Sequence, residues 1–413
     1  MSDCHPPLAD LRIIESSLLG PAALTTSFAD LGAEVIKVES PAGDYIREMT
    51  WPIIGGISLM HYHLNRGKKS IVLDLKTESG KKVYKDLVKD ADVVVETMRP
   101  GSLAKLGLGF EDLRKINPEI VFINVSGYGA TGPYQNMPSH GIAYDTWSGA
   151  VQPAYDDEGF CYIPEHVSVG INAAPLVGGL AMLAGVLRAR ETGEGCEIEL
   201  GQSDAAAFFD WYRIESHIAY SRPEEEVTGN KADNYERRPV ATAGMKEGVR
   251  YQLYESSDGH VLFMASEQAF WKNFCHAVGR EDLFEKWPGS KYADHARGNR
   301  ELQRELRDIF KTRTSQEWLQ LSAEKNTPIA PVNTTQNIIH DPQFNQRFKI
   351  LPHETHGADM LAFPVHFVGE ELPLPAKAPT VGEHTEEVLR EVLGYGDNVI
   401  QSLRESGAFG GNP

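Results

Sequence analysis

The sequence has 413 residues, of which 41% are hydrophobic and 24% are charged, and its formal net charge is −18. Because single hydrophobic cores stop growing beyond roughly 250–300 residues, this length predicts at least two domains in a globular protein. The excess of acidic residues argues against nucleic acid or an anionic membrane surface as the main partner.

The four cysteines, at positions 4, 161, 196 and 275, are far apart and form no CxxC pair. This spacing argues against a zinc site or a disulfide framework and favours a reducing compartment. The first residues show no basic start followed by an apolar run, and we find no run of about 18 apolar residues anywhere. We therefore expect a cytoplasmic protein with no bound metal and no membrane span.

Strands and helices alternate through the first half of the chain. Apolar runs indicate strands at 11–15, 34–39, 70–75, 91–96, 120–126 and 197–200, with helices at 20–31, 78–89 and after Pro100. This alternation predicts a parallel sheet with helices on both faces. Neither a GxGxxG after the first strand nor a P-loop pattern is present, so the usual nucleotide fingerprints are absent.

A helix rich in alanine and glycine follows residue 172 and ends at Thr192-Gly193-Glu194-Gly195. Its plain interpretation is a buried packing helix. The later chain predicts a helix at 203–212, a hairpin at 251–264 and helices at 268–278, 299–311 and 315–325. We predict a large Rossmann-like domain (1–214), a linker (215–250), a small α+β domain (251–335), and a linker with a C-terminal part that returns to the large domain (336–413).

Basic and amide side chains lie near predicted strand ends, where open α/β sheets bind ligands. Asn65, Lys68 and Lys69 precede the strand at 70–75, and Arg99 and Lys105 follow the strand at 91–96. Such cations could hold a diphosphate or a 3′-phosphate. The alternative is that each is an ordinary surface charge.

Long phrases of the sequence, among them ADLGAEVIKVESPAGDYIR, NRGKKSIVLDLKTESG, GVLRARETGEG and NTPIAPVN, resemble the family III CoA-transferases. That family includes formyl-CoA transferase, carnitine CoA-transferase and the α-methylacyl-CoA racemases. The resemblance implies an interlocked dimer, in which a Rossmann-like domain and a small domain are joined by long linkers. It also implies a coenzyme A thioester as substrate, with no permanently bound cofactor. The matching CoA-binding positions are Val38, Asn65, Lys68, Lys69, Arg99 and Lys105.

The family's transferases use a carboxylate nucleophile in the turn before the small-residue helix. The carboxylate attacks the acyl thioester, which gives a mixed anhydride and CoA thiolate. The thiolate then forms an enzyme–CoA thioester, from which the second acid takes the CoA. Counting back from Thr192 places Ile171 at this position, and a hydrocarbon side chain cannot form an anhydride.

Four hypotheses stay open at this point. The chain could be the non-nucleophilic subunit of a hetero-oligomer whose homologous partner carries the aspartate, as in the succinyl-CoA:(R)-benzylsuccinate branch of anaerobic toluene breakdown. It could be self-sufficient through Glu165 or Asp145. It could be an acyl-CoA racemase that uses His140, which resembles the racemase histidine although a lone histidine is more often structural. It could also be a CoA-binding module without turnover.

Overall fold

The computed structural model describes residues 5–229, 237, 245–292 and 294–411. Within this part, the chain forms two compact units. The described residues of the large unit are 5–212 and 347–411, and those of the small unit lie between Arg213 and Gln346.

The strands of the described residues are listed here in chain order: β1 (Arg12–Ser16), β2 (Glu34–Glu39), β3 (Ile53–Ile54), β4 (Ile57–Ser58), β5 (Lys69–Val72), β6 (Val93–Glu96), β7 (Val121–Ser126), β8 (Ala154–Tyr155), β9 (Cys161–Tyr162), β10 (Cys196–Gly201), β11 (Tyr251–Glu255), β12 (His260–Met264), β13 (Ile329–Pro331), β14 (Ile350–Leu351) and β15 (Met360–Leu361).

The α-helices of the same residues are α1 (Ala23–Asp30), α2 (Leu59–Asn65), α3 (Glu78–Val88), α4 (Phe110–Leu113), α5 (Ile142–Ser148), α6 (Gly170–Thr192), α7 (Gln202–Phe209), α8 (Trp211–Tyr220), α9 (Gln268–Ala277), α10 (Glu281–Lys286), α11 (Arg300–Phe310), α12 (Ser315–Lys325), α13 (Pro342–Arg347), α14 (His353–His356), α15 (Thr385–Glu387) and α16 (Asp397–Glu405).

The large unit is built on a six-stranded sheet in the order β10-β7-β6-β1-β2-β5, and every neighbouring pair is parallel. Most residues of the five strands other than the edge strand β10 are buried because helices cover both faces of the sheet, and a few buried charges lie near the ends of β1 and β2. One face packs against α1 and α6, and the other packs against α3, α4 and the C-terminal helices. The predicted α/β class with a Rossmann-like large domain is confirmed.

The small residues of α6 admit neighbouring side chains into the helix surface. A Cβ atom built on Gly178 would lie 2.6 Å from Leu24 Cδ1, and one on Gly185 would lie 3.0 Å from Val121 Cγ1. Among the described helices, α6 is the one long and apolar enough to cross a membrane by length and composition. The sequence prediction of no span did not anticipate this finding. A single such helix is weak evidence of a membrane span, and one side of α6 packs into the core of the large unit.

The small unit has its own antiparallel sheet, β11-β12-β13, which includes the predicted hairpin. Its core is aromatic. The Phe263 ring is tilted against those of Phe274 and Phe310, at centroid distances of 4.5 and 5.2 Å, and Trp271 and Trp318 are fully buried beside them. Aromatic side chains bury large areas, so this unit has a hydrophobic core independent of the large sheet.

Three predicted elements differ from the structure. The helix expected after Pro100 is a 3₁₀ turn at Ala104–Leu106 followed by the short helix α4. The strand expected at 70–75 ends at Val72, because the Asp74 N–H leaves the sheet and donates to the carbonyl of Ala408 at 2.7 Å. The helix expected at 203–212 is two helices, α7 and α8, and α8 extends into the predicted linker. Much of the remaining linker, residues 230–236 and 238–244, lies outside the described residues.

Candidate active site

The strand order reverses between β1 and β6, and a sheet of this topology is expected to form a ligand crevice at that point. In the sheet, β2 and β5 lie on one side of β1, whereas β6, β7 and β10 lie on the other side. Open α/β sheets bind ligands at the carboxyl ends of the strands flanking such a switch point. Here the two flanking loops are tied together, because the Thr97 N–H donates to Ser16 O (3.1 Å) and Thr97 Oγ1 accepts from the Leu18 N–H (3.2 Å).

Two of the predicted CoA-binding cations lie on the loop after β6. Arg99 and Lys105 are both exposed there, Lys105 within a short 3₁₀ turn. Both charges are therefore available to a phosphate at the crevice.

The other predicted CoA-binding side chains have partners within the protein. Val38 is buried in the core on β2. The Asn65 side chain is buried and its Nδ2 donates to His61 Nδ1 at 3.2 Å. Lys69 pairs with Glu34 at 3.0 Å and Glu387 at 2.9 Å. These three positions shape the fold around the sheet and do not present free side chains to a ligand.

Lys68 is fully buried, and its ammonium lies 2.9 Å from Glu15 Oε2. Burial lowers the pKa of Lys68 to about 8, although the charge of Glu15 opposes this shift. Burial would raise the pKa of the Glu15 carboxyl, but Lys68, Lys37 and the hydroxyl groups of Ser17 and Thr25 outweigh it and lower that pKa to about 2. Both groups are thus charged at neutral pH, and Lys68 is not available as a direct phosphate ligand.

The position that the sequence predicts for the family nucleophile, Ile171, is the second residue of α6. Ile171 is half-buried there, and a Cβ atom built on Gly141 would lie 2.9 Å from its Cγ2. Gly170, which begins the helix, is required by packing, since a Cβ atom would come 2.8 Å from Tyr144 Cβ. The first turn of α6 therefore presents hydrocarbon where an acid would be needed.

Asp145 binds the same end of α6. Its carboxylate is fully buried, and Oδ1 accepts from the backbone N–H groups of Val169 (3.1 Å) and Gly170 (2.7 Å). Its Oδ2 lies 3.5 Å from His166 Nε2, while His166 Nδ1 donates to the carbonyl of Pro164 at 2.9 Å. An anion at a helix N-terminus satisfies free N–H groups and the macrodipole. This geometry indicates a capping role, which the sequence pattern did not reveal because Asp145 lies on another helix, α5.

The two remaining candidates lie on the surface. Glu165 is exposed in the segment between β9 and α6, and His140 is exposed just before α5. Neither is buried beside a group that would activate it as a base or nucleophile in the way that such chemistry requires.

Aromatic side chains gather beside the start of α6. The ring of Tyr128 makes edge contacts with Tyr134, Tyr144 and Trp147, at centroid distances of 5.6, 5.9 and 6.5 Å. Tyr134 and Trp147 remain 43% and 47% exposed. We call these four residues the aromatic cluster. Tyr144 also packs against Gly170 at the start of α6. The cluster therefore places an apolar, polarisable surface next to the first turn of α6.

Over the part of the chain that the structure describes, no group of three or more His, Cys, Asp or Glu side chains could hold a metal ion. The three described cysteines, Cys161, Cys196 and Cys275, are free.

The family model described as CoA-transferase family III matches residues 8–385. Human succinyl-CoA:glutarate CoA-transferase is 31% identical over 97% of this chain and 89% of its own length. The beta subunit of succinyl-CoA–L-malate CoA-transferase from Chloroflexus aurantiacus is 28% identical over 96% of this chain and 97% of its own. The crystal structure of Rv3272 from M. tuberculosis is 26% identical and superposes with a TM-score of 0.75, covering 92% of this chain and 98% of that one. These matches confirm the resemblance seen in the sequence phrases, and the chain belongs to CoA-transferase family III.

Proposed function

We propose that this chain is the non-nucleophilic subunit of a heteromeric CoA-transferase. The complex would move CoA from an acyl-CoA, succinyl-CoA in the first instance, to a carboxylic acid. The observation that carries the proposal is the hydrocarbon side chain of Ile171 at the start of α6. A homologous partner chain would supply the carboxylate, in an interlocked arrangement in the cytoplasm.

The chemistry explains why one residue decides the role of the chain. A carboxylate attacks the donor thioester and expels CoA thiolate, which leaves a mixed anhydride. The thiolate attacks the enzyme acyl carbon, releases the donor acid and forms an enzyme–CoA thioester. The acceptor acid then takes the CoA by the same two steps in reverse, which restores the carboxylate. Ile171 offers no oxygen for any of these bonds.

The nearby acids are poor substitutes. Asp145 is fully buried and already accepts two backbone N–H groups of α6. An attack on a thioester would require it to leave the helix end and reach solvent. Glu165 is exposed on a loop, where no fixed groups align it with a thioester. Since placement supplies much of the rate in such reactions, neither meets the requirement as it stands.

A large apolar surface supports a macromolecular partner. Leu176, Leu180 and Leu187 on α6 are 60%, 72% and 69% exposed, and Phe208 and Trp211 are 67% and 52% exposed. Large apolar patches on soluble proteins are usually covered by another chain, and these exposed side chains therefore support a partner subunit. The L-malate relative is named as a beta subunit, which supports a hetero-oligomer.

The acceptor would be a dicarboxylic acid. Two relatives are named for glutarate and L-malate, and the aromatic cluster supports an acceptor that also carries an aryl or other apolar group. Benzylsuccinate has both features and is the first acceptor to test. CoA would lie in the crevice between the loops after β1 and β6, with Arg99 and Lys105 beside its phosphates.

Reconstitution tests the proposal. The chain purified alone should transfer no CoA from succinyl-CoA to benzylsuccinate, glutarate or malate, and activity should appear when the partner from the native source is added. The partner's nucleophilic aspartate changed to alanine should remove that activity. An Ile171→Asp variant, with Ile171→Asn as its matched control, would show whether this chain's own cleft can still support transfer. Full activity of the wild-type chain alone would refute the proposal.

One observation favours a second candidate, a self-sufficient transferase. Asp145 Oδ2 has no hydrogen bond within normal distance and lies at the same helix end as Ile171. If the helix end opened, this oxygen could become a nucleophile. Incubation of the chain alone with succinyl-CoA and hydroxylamine should then give a hydroxamate at Asp145, which peptide mass mapping would detect.

A further inference from the structure

Four buried charges lie behind the crevice at the end of β1. Lys68 Nζ is 2.9 Å from Glu15 Oε2, while Lys37 Nζ is 3.4 Å from Glu15 Oε1 and 3.0 Å from Asp44 Oδ2. None of the four side chains is more than 1% exposed. We call them the buried quartet. Two cations and two anions make it neutral overall.

Three members of the quartet contact the backbone of the loop after β1, and Glu15 accepts from the side-chain hydroxyl of Ser17 in the same loop. Lys37 Nζ donates to Ser17 O at 3.1 Å, and Lys68 Nζ donates to Ala22 O at 2.8 Å. Asp44 Oδ2 accepts from the Leu19 N–H at 3.3 Å. The loop is therefore fixed at its beginning, its middle and its end by the same charges.

The fixed loop has an unfavourable backbone conformation. Leu19 has φ 59° and ψ −146°, a region that a residue with a Cβ atom rarely adopts and that persists only where surrounding contacts determine it. Leu18, next to it, is 39% exposed, and its N–H donates to Thr97 Oγ1 on the loop after β6. The strain thus lies at the edge of the site where CoA is proposed to bind.

Stability alone does not explain the quartet. Burying charges costs desolvation energy, and apolar replacements of similar volume are often as stable or more stable. The four charges do, however, hold the loop in one conformation, because they bind the Ser17 carbonyl, the Leu19 N–H and the Ala22 carbonyl.

We propose that Glu15, Lys37, Asp44 and Lys68 are positioning residues that hold the loop after β1 in the shape that binds CoA, without touching the ligand. This inference rests on the proposed CoA site. The sequence predicts that Lys68 contacts a phosphate of CoA. In this proposal Lys68 instead holds the loop that binds CoA and does not contact the ligand.

The double variant Glu15→Gln/Lys68→Met tests the inference, because it removes one charge of each sign and leaves Lys37 paired with Asp44. In the complex with the partner subunit, calorimetric titration should show Kd for CoA and for succinyl-CoA raised about tenfold or more. The kcat should stay within about threefold, and hydrogen exchange should rise in residues 16–22. The matched control is Asp30→Leu/Arg66→Met, which removes a pair of similar burial (2.7 Å, side chains 3% and 4% exposed). This control should lower Tm without raising Kd.

A wild-type Kd in the double variant would overturn the inference, and so would an equal rise of Kd in the control. If the double variant does not fold, the Leu19→Gly variant tests the inference through the same measurements of Kd and Tm. Glycine adopts this backbone without strain but leaves the loop freer, so Kd should rise while Tm does not fall, and an unchanged Kd would overturn the inference. If the wild-type complex binds neither ligand, the proposed function itself fails.

Discussion

Ile171 packs directly over Gly141, since a Cβ atom on Gly141 would lie only 2.9 Å from Ile171 Cγ2. The absence of a side chain at one position thus makes room for hydrocarbon at the other. The pair fills the first turn of α6 with hydrocarbon at the position where our proposal finds no nucleophile in this chain.

A Gly141→Ala substitution should therefore destabilise the protein. The added methyl group overpacks the contact, and we expect a loss of about 1–3 kcal/mol in the free energy of unfolding. In the Gly141→Ala/Ile171→Ala double variant much of this loss should be recovered. Urea unfolding of the two single variants and the double variant gives the coupling energy, which should exceed about 0.5 kcal/mol. Additive effects would show that the two side chains do not share this space.

Asp145 should behave as a helix cap. Asp145→Ala removes the acceptor of two N–H groups at the start of α6, so stability should fall by about 1–2 kcal/mol. Asp145→Asn, which keeps one oxygen, should lose less. Transfer by the complex should be retained in both variants once the folded fraction is taken into account. An Asp145→Asn variant of normal stability and no transfer activity would instead identify Asp145 as the nucleophile.

The Glu15 carboxylate should make stability depend on acid pH. Its pKa falls from 4.5 to about 2 on folding, so it contributes stability above pH 4.5 that is lost as the pH falls toward 2. The contribution corresponds to about 3 kcal/mol. The stability advantage of wild type over Glu15→Gln, measured by urea unfolding, should shrink across this window. The exposed Glu225→Gln variant controls for the loss of one carboxylate. A difference that is constant with pH would contradict the assignment.

The aromatic cluster should select the acceptor acid. Aromatic contacts contribute about 0.5–1.5 kcal/mol each, so Trp147→Ala should raise KM for benzylsuccinate by roughly two- to tenfold and leave KM for glutarate unchanged. Trp51→Ala, at a tryptophan that is 87% exposed, is the control. Equal effects on both acids would mean that Trp147 acts on the fold and not on the acceptor.

The sequence predicted what local patterns can encode. The run at 34–39 forms β2, and the turn at Ser257-Asp258-Gly259 joins a hairpin, because alternation and turn chemistry are local properties. The burial of the Lys68 side chain could not be predicted from such local patterns. Its burial depends on Glu15, a residue brought near by the parallel register in which Glu15 lies opposite Lys37. The residues around Lys68 in the sequence are the same whether its side chain faces solvent or a buried carboxylate, so the local pattern does not distinguish the two cases.

In the candidate site, too, local features could be predicted from the sequence and contacts between distant residues could not. Ile171 could be placed by counting from a turn within the same helix. The capping by Asp145 could not, since it joins α5 to α6 across 25 positions of sequence. The short pairs β3–β4 and β8–β9 were also missed, because two-residue strands carry no period.

The most direct measurement is to map the enzyme–CoA thioester in the native complex. Incubation with succinyl-CoA and hydroxylamine converts the thioester to a hydroxamate, and mass spectrometry of both chains locates it. Our account predicts a single modified aspartate on the partner and none on this chain. A hydroxamate at Asp145, Glu165 or any other acid of this chain would contradict it.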